Sequence, residues 1–139
     1  MFTLVDSNVI LDVVTNDATW FEWSSESLAR AADGSTLAIN PIIFAEISIG
    51  FPTIEELEDL LPESDFRRLA LPYEAAFLAG KAFLGYRRRG GRRTAPLPDF
   101  YIGAHAAVAG MRLLTRDSRR YRTYFPTIDI LSPDTSPRS

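Results

Sequence analysis

Short apolar runs that recur between helical patterns constrain this chain more than any other feature. "FTLV" at Phe2, "TLAI" at Thr36, "RRLAL" at Arg67, "RLLT" at Arg112 and "TIDIL" at Thr127 each have the length and composition of a strand. Helical segments separate them. Strands spaced this way cannot pair as tight hairpins, so they must pair in parallel and be covered by the intervening helices. The pattern predicts a three-layer α/β fold with a mostly parallel central sheet and helices on both faces. Residues 1–132 form one domain in this reading, and 133–139 a loose C-terminal tail.

The helix signals are local. Ser7 precedes "NVILDVV" as a cap, and Thr19 with Glu22 has capping-box spacing before a run that Gly34 stops. Asn40 and Pro41 open "IIFAEISIG", and Thr53 with Glu56 forms a second capping box. "YEAAFLAGKAFLGYRRR" reads as a long helix, "DFYIGAHAAVA" as a helix closed by Gly110, and "SRRYRTYF" as a short helix or turn.

Composition excludes several classes of function. With 46% apolar and 24% charged residues the chain has the make-up of an ordinary globular domain. No apolar run reaches the roughly 20 residues that span a bilayer, and the N-terminus carries no basic stretch before an apolar one, so a cytoplasmic protein is expected. The absence of cysteine removes thiolate chemistry, and a single histidine removes poly-histidine metal sites. A net charge of −3 hides an asymmetry, because five arginines crowd into "RRRGGRR" at residues 87–93. Arg87, Arg88, Arg89, Arg92 and Arg93 are candidate phosphate contacts, since guanidinium binds phosphate oxygens in pairs and the two glycines leave such an arm free to move. The competing reading is a solvated helix end whose cations complement the helix dipole.

Four acids stand at comparable places. Asp6 ends the first strand, Asp99 begins a helix, and Asp117 follows the strand "RLLT". Glu46 lies in "IIFAEISIG", a helix apolar on most faces and therefore expected to be buried. In an open parallel sheet the carboxyl ends of the strands line the ligand crevice, so all four can meet there. Close carboxylates raise one another's pKa, and a hard cation relieves that conflict. Oxygen donors without histidine or thiolate suit Mg²⁺ or Mn²⁺. Singly, Asp6 and Asp99 read as helix caps, Asp117 as a turn residue and Glu46 as the partner of an arginine; together they read as a metal site.

Their neighbours carry weaker signals. Asn8 and Thr115 are placed to orient a carboxylate or a water beside the acids, or simply to start a helix and end a strand. Asp12 reads as a surface or supporting residue, His105 as a packed histidine, and Trp20, Trp23, Phe77 and Phe83 as core or interface rather than base-stacking platforms.

"DSNVILD", the mid-chain glutamate, "LPDFYIGAHA" and "LLTRD" followed by "RRYRTYFP" resemble, in order and spacing over nearly the whole chain, the PIN-domain ribonucleases of the bacterial VapC toxin type. The resemblance implies a Mg²⁺-dependent or Mn²⁺-dependent endoribonuclease that is the toxin of a toxin–antitoxin pair. It places the family's acids on Asp6, Glu46, Asp99 and Asp117, its first polar neighbour on Asn8 and its hydroxyl residue on Thr115. It also implies an RNA substrate, a homodimer, and a hetero-oligomer with an antitoxin whose tail enters the active-site groove. The chemistry of the residues agrees: a metal lowers the pKa of its water and neutralises the attacked phosphate, while one carboxylate, Asp99 for instance, accepts a proton. In-line attack by water leaves a 5′-phosphate and a 3′-hydroxyl.

Other readings fit less of the chain. A haloacid-dehalogenase-like phosphatase needs a second aspartate where this chain has Asn8, and a phosphate-accepting receiver domain needs a strand-end lysine, whereas the lone Lys81 lies in a helical run. A module that binds RNA or a protein partner without turnover would use the acids only to organise the fold.

Overall fold

The computed structural model describes residues 1–133. Its sheet has five strands, β1 (Phe2–Val5), β2 (Thr36–Ile39), β3 (Arg67–Arg68), β4 (Arg112–Leu114) and β5 (Ile130–Leu131). They are ordered β3-β2-β1-β4-β5, and every neighbouring pair is parallel. The three-layer α/β expectation holds, with an all-parallel sheet in place of a mostly parallel one. Leu4, Val5, Ala38, Ile39, Leu113 and Leu114 are essentially without solvent contact, as strands covered on both faces require.

Seven helices are described: α1 (Ser7–Val14), α2 (Phe21–Gly34), α3 (Pro41–Ser48), α4 (Ile54–Leu60), α5 (Tyr73–Arg88), α6 (Pro98–Ala109) and α7 (Arg119–Tyr124). None is long and apolar enough to cross a membrane. Ile43 and Ile47 of α3, fully buried, each contribute roughly 2 kcal/mol of apolar burial. The order of strands reverses at β1, between β2 on one side and β4 on the other. The crevice that opens at such a reversal therefore lies beyond Val5 and Leu114.

Several local expectations are corrected. "RRLAL" and "TIDIL" contribute only two paired residues each, because both are edge strands with a single neighbour. Asp6, not Ser7, caps α1: its carboxylate accepts the Ser7 N–H, which frees the Ser7 hydroxyl. The Thr19–Glu22 capping box does not form; the Asp17 carboxylate takes the Thr19 and Trp20 N–H groups at 2.9 Å each and turns the chain into α2. The Asn40 and Thr53 caps are as expected, through Ile43 N–H and Glu56 N–H. Helix α3 is not buried all round. It packs Ile43 and Ile47 inward and turns Pro41, Phe44 and Ala45 toward an open apolar groove of about 610 Å³. Pro133 is the last described residue, so most of the expected loose tail lies outside the description.

The glycines of "RRRGGRR" fix the chain rather than loosen it. Gly90 sits at φ 92°, its N–H bonds to the Arg87 carbonyl, and the Gly91 N–H bonds to the Tyr86 carbonyl. These two bonds close α5 in a Schellman arrangement. A Cβ at Gly91 would collide with the Tyr86 ring, so this position has no room for a side chain.

Candidate active site

Asp6 is the centre of the crevice. It directly follows β1, and its own N–H continues the sheet by bonding to the Leu114 carbonyl at 2.9 Å. Only 4% exposed, its carboxylate receives the Ser7 N–H on Oδ1 at 2.8 Å, and the Thr115 and Tyr121 hydroxyls on Oδ2 at 2.9 and 2.8 Å. Burial, then the nearby Asp99 charge, push its pKa from 3.8 up to about 6 against the pull of those hydroxyls.

Ser7 joins Asp6 to Glu46. Its Oγ donates to Glu46 Oε1 at 2.9 Å, so the half-buried glutamate reaches across from α3 to the start of α1. Burial raises the Glu46 pKa, and Asp99 adds to the rise. Asp99, in the first turn of α6, makes no capping bond; the helix starts from Leu97 without one. The Asp99 carboxylate instead faces α7, with Arg120 at 3.3 Å and the Tyr121 hydroxyl at 3.4 Å. Burial raises its pKa although Arg120 opposes the rise.

Asp117 is at the rim. Its side chain is exposed and accepts a long bond from the Arg119 N–H, at 3.4 Å. It shares a cleft of about 430 Å³ with Asp99, Tyr86, Arg119, Arg120 and Tyr124, and its charge contributes to the rise at Asp99. Three of the four expected acids are thus linked through Ser7 and Tyr121, and the fourth stands across the cleft.

Thr115 and Asn8 lie where they can orient the acids. Thr115, fully buried, holds Asp6 Oδ2, and the Asn8 amide bonds to the Thr115 hydroxyl at 3.4 Å and to the Arg116 N–H at 3.1 Å. Asp12 is not on the surface. It is 2% exposed and holds the Arg116 guanidinium with both oxygens, at 2.9 and 3.0 Å, while Ser24 donates to Oδ2 at 2.7 Å. The pair ties α1 to the loop after β4 and so fixes where Thr115 and Asp117 stand. His105 is a core residue bonded to Asn40 at 3.0 Å. Trp20 lies under the Arg116 guanidinium, Phe83 packs on Phe100, and Phe77 is exposed beside Lys81.

The five arginines at residues 87–93 are exposed next to the first turn of α6. Arg89 lies over the Tyr124 ring, whose edge also lines the acidic cleft, and Arg87 bonds to the Arg93 carbonyl.

Sequence reasoning missed Ser7, Arg120 and Tyr121. The last is the most consequential, because its hydroxyl reaches two of the acids. Gly103 of α6 permits this: a Cβ there would collide with Phe125 and come within 3.0 Å of the Tyr121 ring, so glycine lets α7 settle onto α6. A Gly in an apolar helix opposite an aromatic helix was the available signal.

The donor set fits a hard divalent cation by its chemistry, being all oxygen with carboxylates that raise one another's pKa. Among the described residues no three acids already close around a common point. The cluster is an open one.

Comparison with known proteins agrees with the fold. A family model described as "PIN domain" matches residues 3–126. No curated protein matches the chain. Among solved structures, VapBC2 from Rickettsia felis, bound to a DNA fragment from its promoter, superposes with a TM-score of 0.73 at 18% identity, covering 95% of this chain and 98% of that one. VapBC-1 from nontypeable Haemophilus influenzae gives 0.72 at 16% identity with the same coverage, 95% and 98%. FitAcB from Neisseria gonorrhoeae gives 0.68 at 19% identity, covering 96% and 99%.

Proposed function

This chain belongs to the PIN-domain family, whose members are nucleases, and from that premise we propose that it is a metal-dependent endoribonuclease, the toxin of a toxin–antitoxin pair. The observation that carries the reading is the carboxylate cluster at the β1/β4 crevice, in which Asp6, Glu46 and Asp99 are linked by Ser7 and Tyr121 and Asp117 faces Asp99 across the cleft.

Asp6, Glu46, Asp99 and Asp117 are the residues that would hold Mg²⁺ or Mn²⁺. When bound, such an ion lowers the pKa of water and neutralises the phosphate under attack. The chain's own groups do the rest. Asp99, whose burial favours its protonated form, accepts the proton of the attacking water. Arg120, already beside Asp99 and lining the cleft, is placed to offset phosphate charge. The 2′-hydroxyl has no role, so the products carry a 5′-phosphate and a 3′-hydroxyl. Arg87, Arg88, Arg89, Arg92 and Arg93 draw the RNA toward the cleft.

The structural relatives include toxin–antitoxin complexes, such as one from Klebsiella pneumoniae, which supports an antitoxin as partner here. A homodimer, a hetero-oligomer with the antitoxin and a cytoplasmic site of action belong to the same proposal.

Incubating purified protein with total cellular RNA in Mg²⁺, Mn²⁺ or EDTA tests it, with Asp99→Asn as the control for contaminating nuclease. Discrete fragments that require metal and disappear in the variant are expected. Intact RNA in every metal, from folded protein, overturns the enzyme and favours a binding module.

A further inference from the structure

The Tyr121 side chain is 1% exposed, yet its hydroxyl is not merely packed. It lies 2.8 Å from Asp6 Oδ2 and 3.4 Å from Asp99 Oδ1. A phenol has one proton to donate, and the shorter distance assigns it to Asp6. Thr115 donates to the same Oδ2 at 2.9 Å. A carboxylate oxygen has two in-plane lone pairs, so these two hydroxyls occupy both.

Oδ1 is in a different state. The Ser7 N–H takes one of its lone pairs at 2.8 Å, while the Ser7 hydroxyl, 3.5 Å away, is committed to Glu46 at 2.9 Å. One lone pair of Oδ1 remains available. The side chain cannot rotate to offer Oδ2 instead without breaking two buried hydrogen bonds.

We propose that Tyr121 is a positioning residue which, with Thr115, locks Asp6 through Oδ2 and so presents Oδ1 as the single oxygen that binds a divalent cation. The inference rests on the metal-dependent reading above and deepens it. Loss of a group that orients a metal ligand typically weakens metal binding by about 10-fold to 100-fold. Removing the Tyr121 hydroxyl should therefore act on metal affinity, an effect that packing alone would not produce.

The test is Mn²⁺ affinity, measured by calorimetry and by electron paramagnetic resonance of the free ion, on the wild type, Tyr121→Phe and Tyr73→Phe. Tyr121→Phe keeps the ring that packs beside Gly103. Tyr73→Phe removes an exposed phenol at the start of α5 that does not line the cleft of the acids. Thermal unfolding in EDTA confirms that each variant is folded. The expected result is Mn²⁺ affinity about 10-fold or more weaker in Tyr121→Phe, with Tyr73→Phe equal to the wild type. Equal or tighter binding by a folded Tyr121→Phe overturns the inference and leaves the metal reading standing. A wild type that binds no Mn²⁺ overturns the metal reading itself.

Discussion

Replacing Asp6 by asparagine should make the protein more stable while it removes activity. Asp6 is buried, and its pKa rises from 3.8 to about 6 on folding. A raised pKa means that the folded state binds the proton more tightly than the unfolded chain does. Its favourable contribution is complete below the unfolded pKa and disappears as pH climbs through the folded value. At about 1.4 kcal/mol per pH unit, the gap between 3.8 and about 6 corresponds to about 3 kcal/mol lost by neutral pH. Asparagine carries no charge to bury. Its carbonyl still accepts from Ser7, and its amide can donate to the Tyr121 hydroxyl, which accepts as well as donates. Urea unfolding in EDTA should therefore give similar stabilities for the two proteins near about pH 4. The variant should lead by an amount approaching about 3 kcal/mol above about pH 7. Adding Mg²⁺ or Mn²⁺ should stabilise the wild type and narrow that lead. A variant no more stable than the wild type at neutral pH, with an unchanged pH slope, would refute the reasoning.

Arg116→Met strands the buried Asp12 carboxylate and should cost about 3 kcal/mol in urea unfolding, far more than a surface pair would. Gly103→Ala inserts a methyl group into the rings of Phe125 and Tyr121 and should cost about 1 to 3 kcal/mol, with Mn²⁺ affinity falling too because Tyr121 must shift. Replacing Arg87, Arg88 and Arg89 together by glutamine should weaken RNA binding and lower the slope of log affinity against log salt by about 2; an unchanged slope would remove the arginines from the RNA path.

The fold was legible because alternating strand and helix patterns leave few arrangements. "FTLV", "TLAI" and "RLLT" are nearly continuous apolar runs, the mark of strands buried on both faces, and they became the central strands β1, β2 and β4. The same logic placed Asp6 at the crevice, since a residue after the middle strand of a parallel sheet has nowhere else to go. The site was only partly legible, for a physical reason. Tyr121 reaches Asp6 over 115 residues of chain, and whether it does depends on how closely α7 approaches α6 at Gly103. Periodicity is silent about such an approach. Asp12 reads as either surface or supporting, and the structure decides for the second; its partner Arg116 is 104 residues away, so its burial could not be read from its own helix. In "RRRGGRR" the glycines suggest a mobile arm, and the bonds from Gly90 and Gly91 correct that reading by making them the stop of α5.

The chemistry of the cut ends tests the central claim most directly. RNA digested by the purified protein would be captured with a ligase that accepts only 5′-phosphate ends and then sequenced, with and without Mg²⁺, Mn²⁺ and EDTA. Water attack guided by the acids of the β1/β4 crevice predicts 5′-phosphate ends at discrete positions, dependent on metal and absent with Asp99→Asn. Fragments with 5′-hydroxyl ends that persist in EDTA, or in the Asp99→Asn variant, would contradict it.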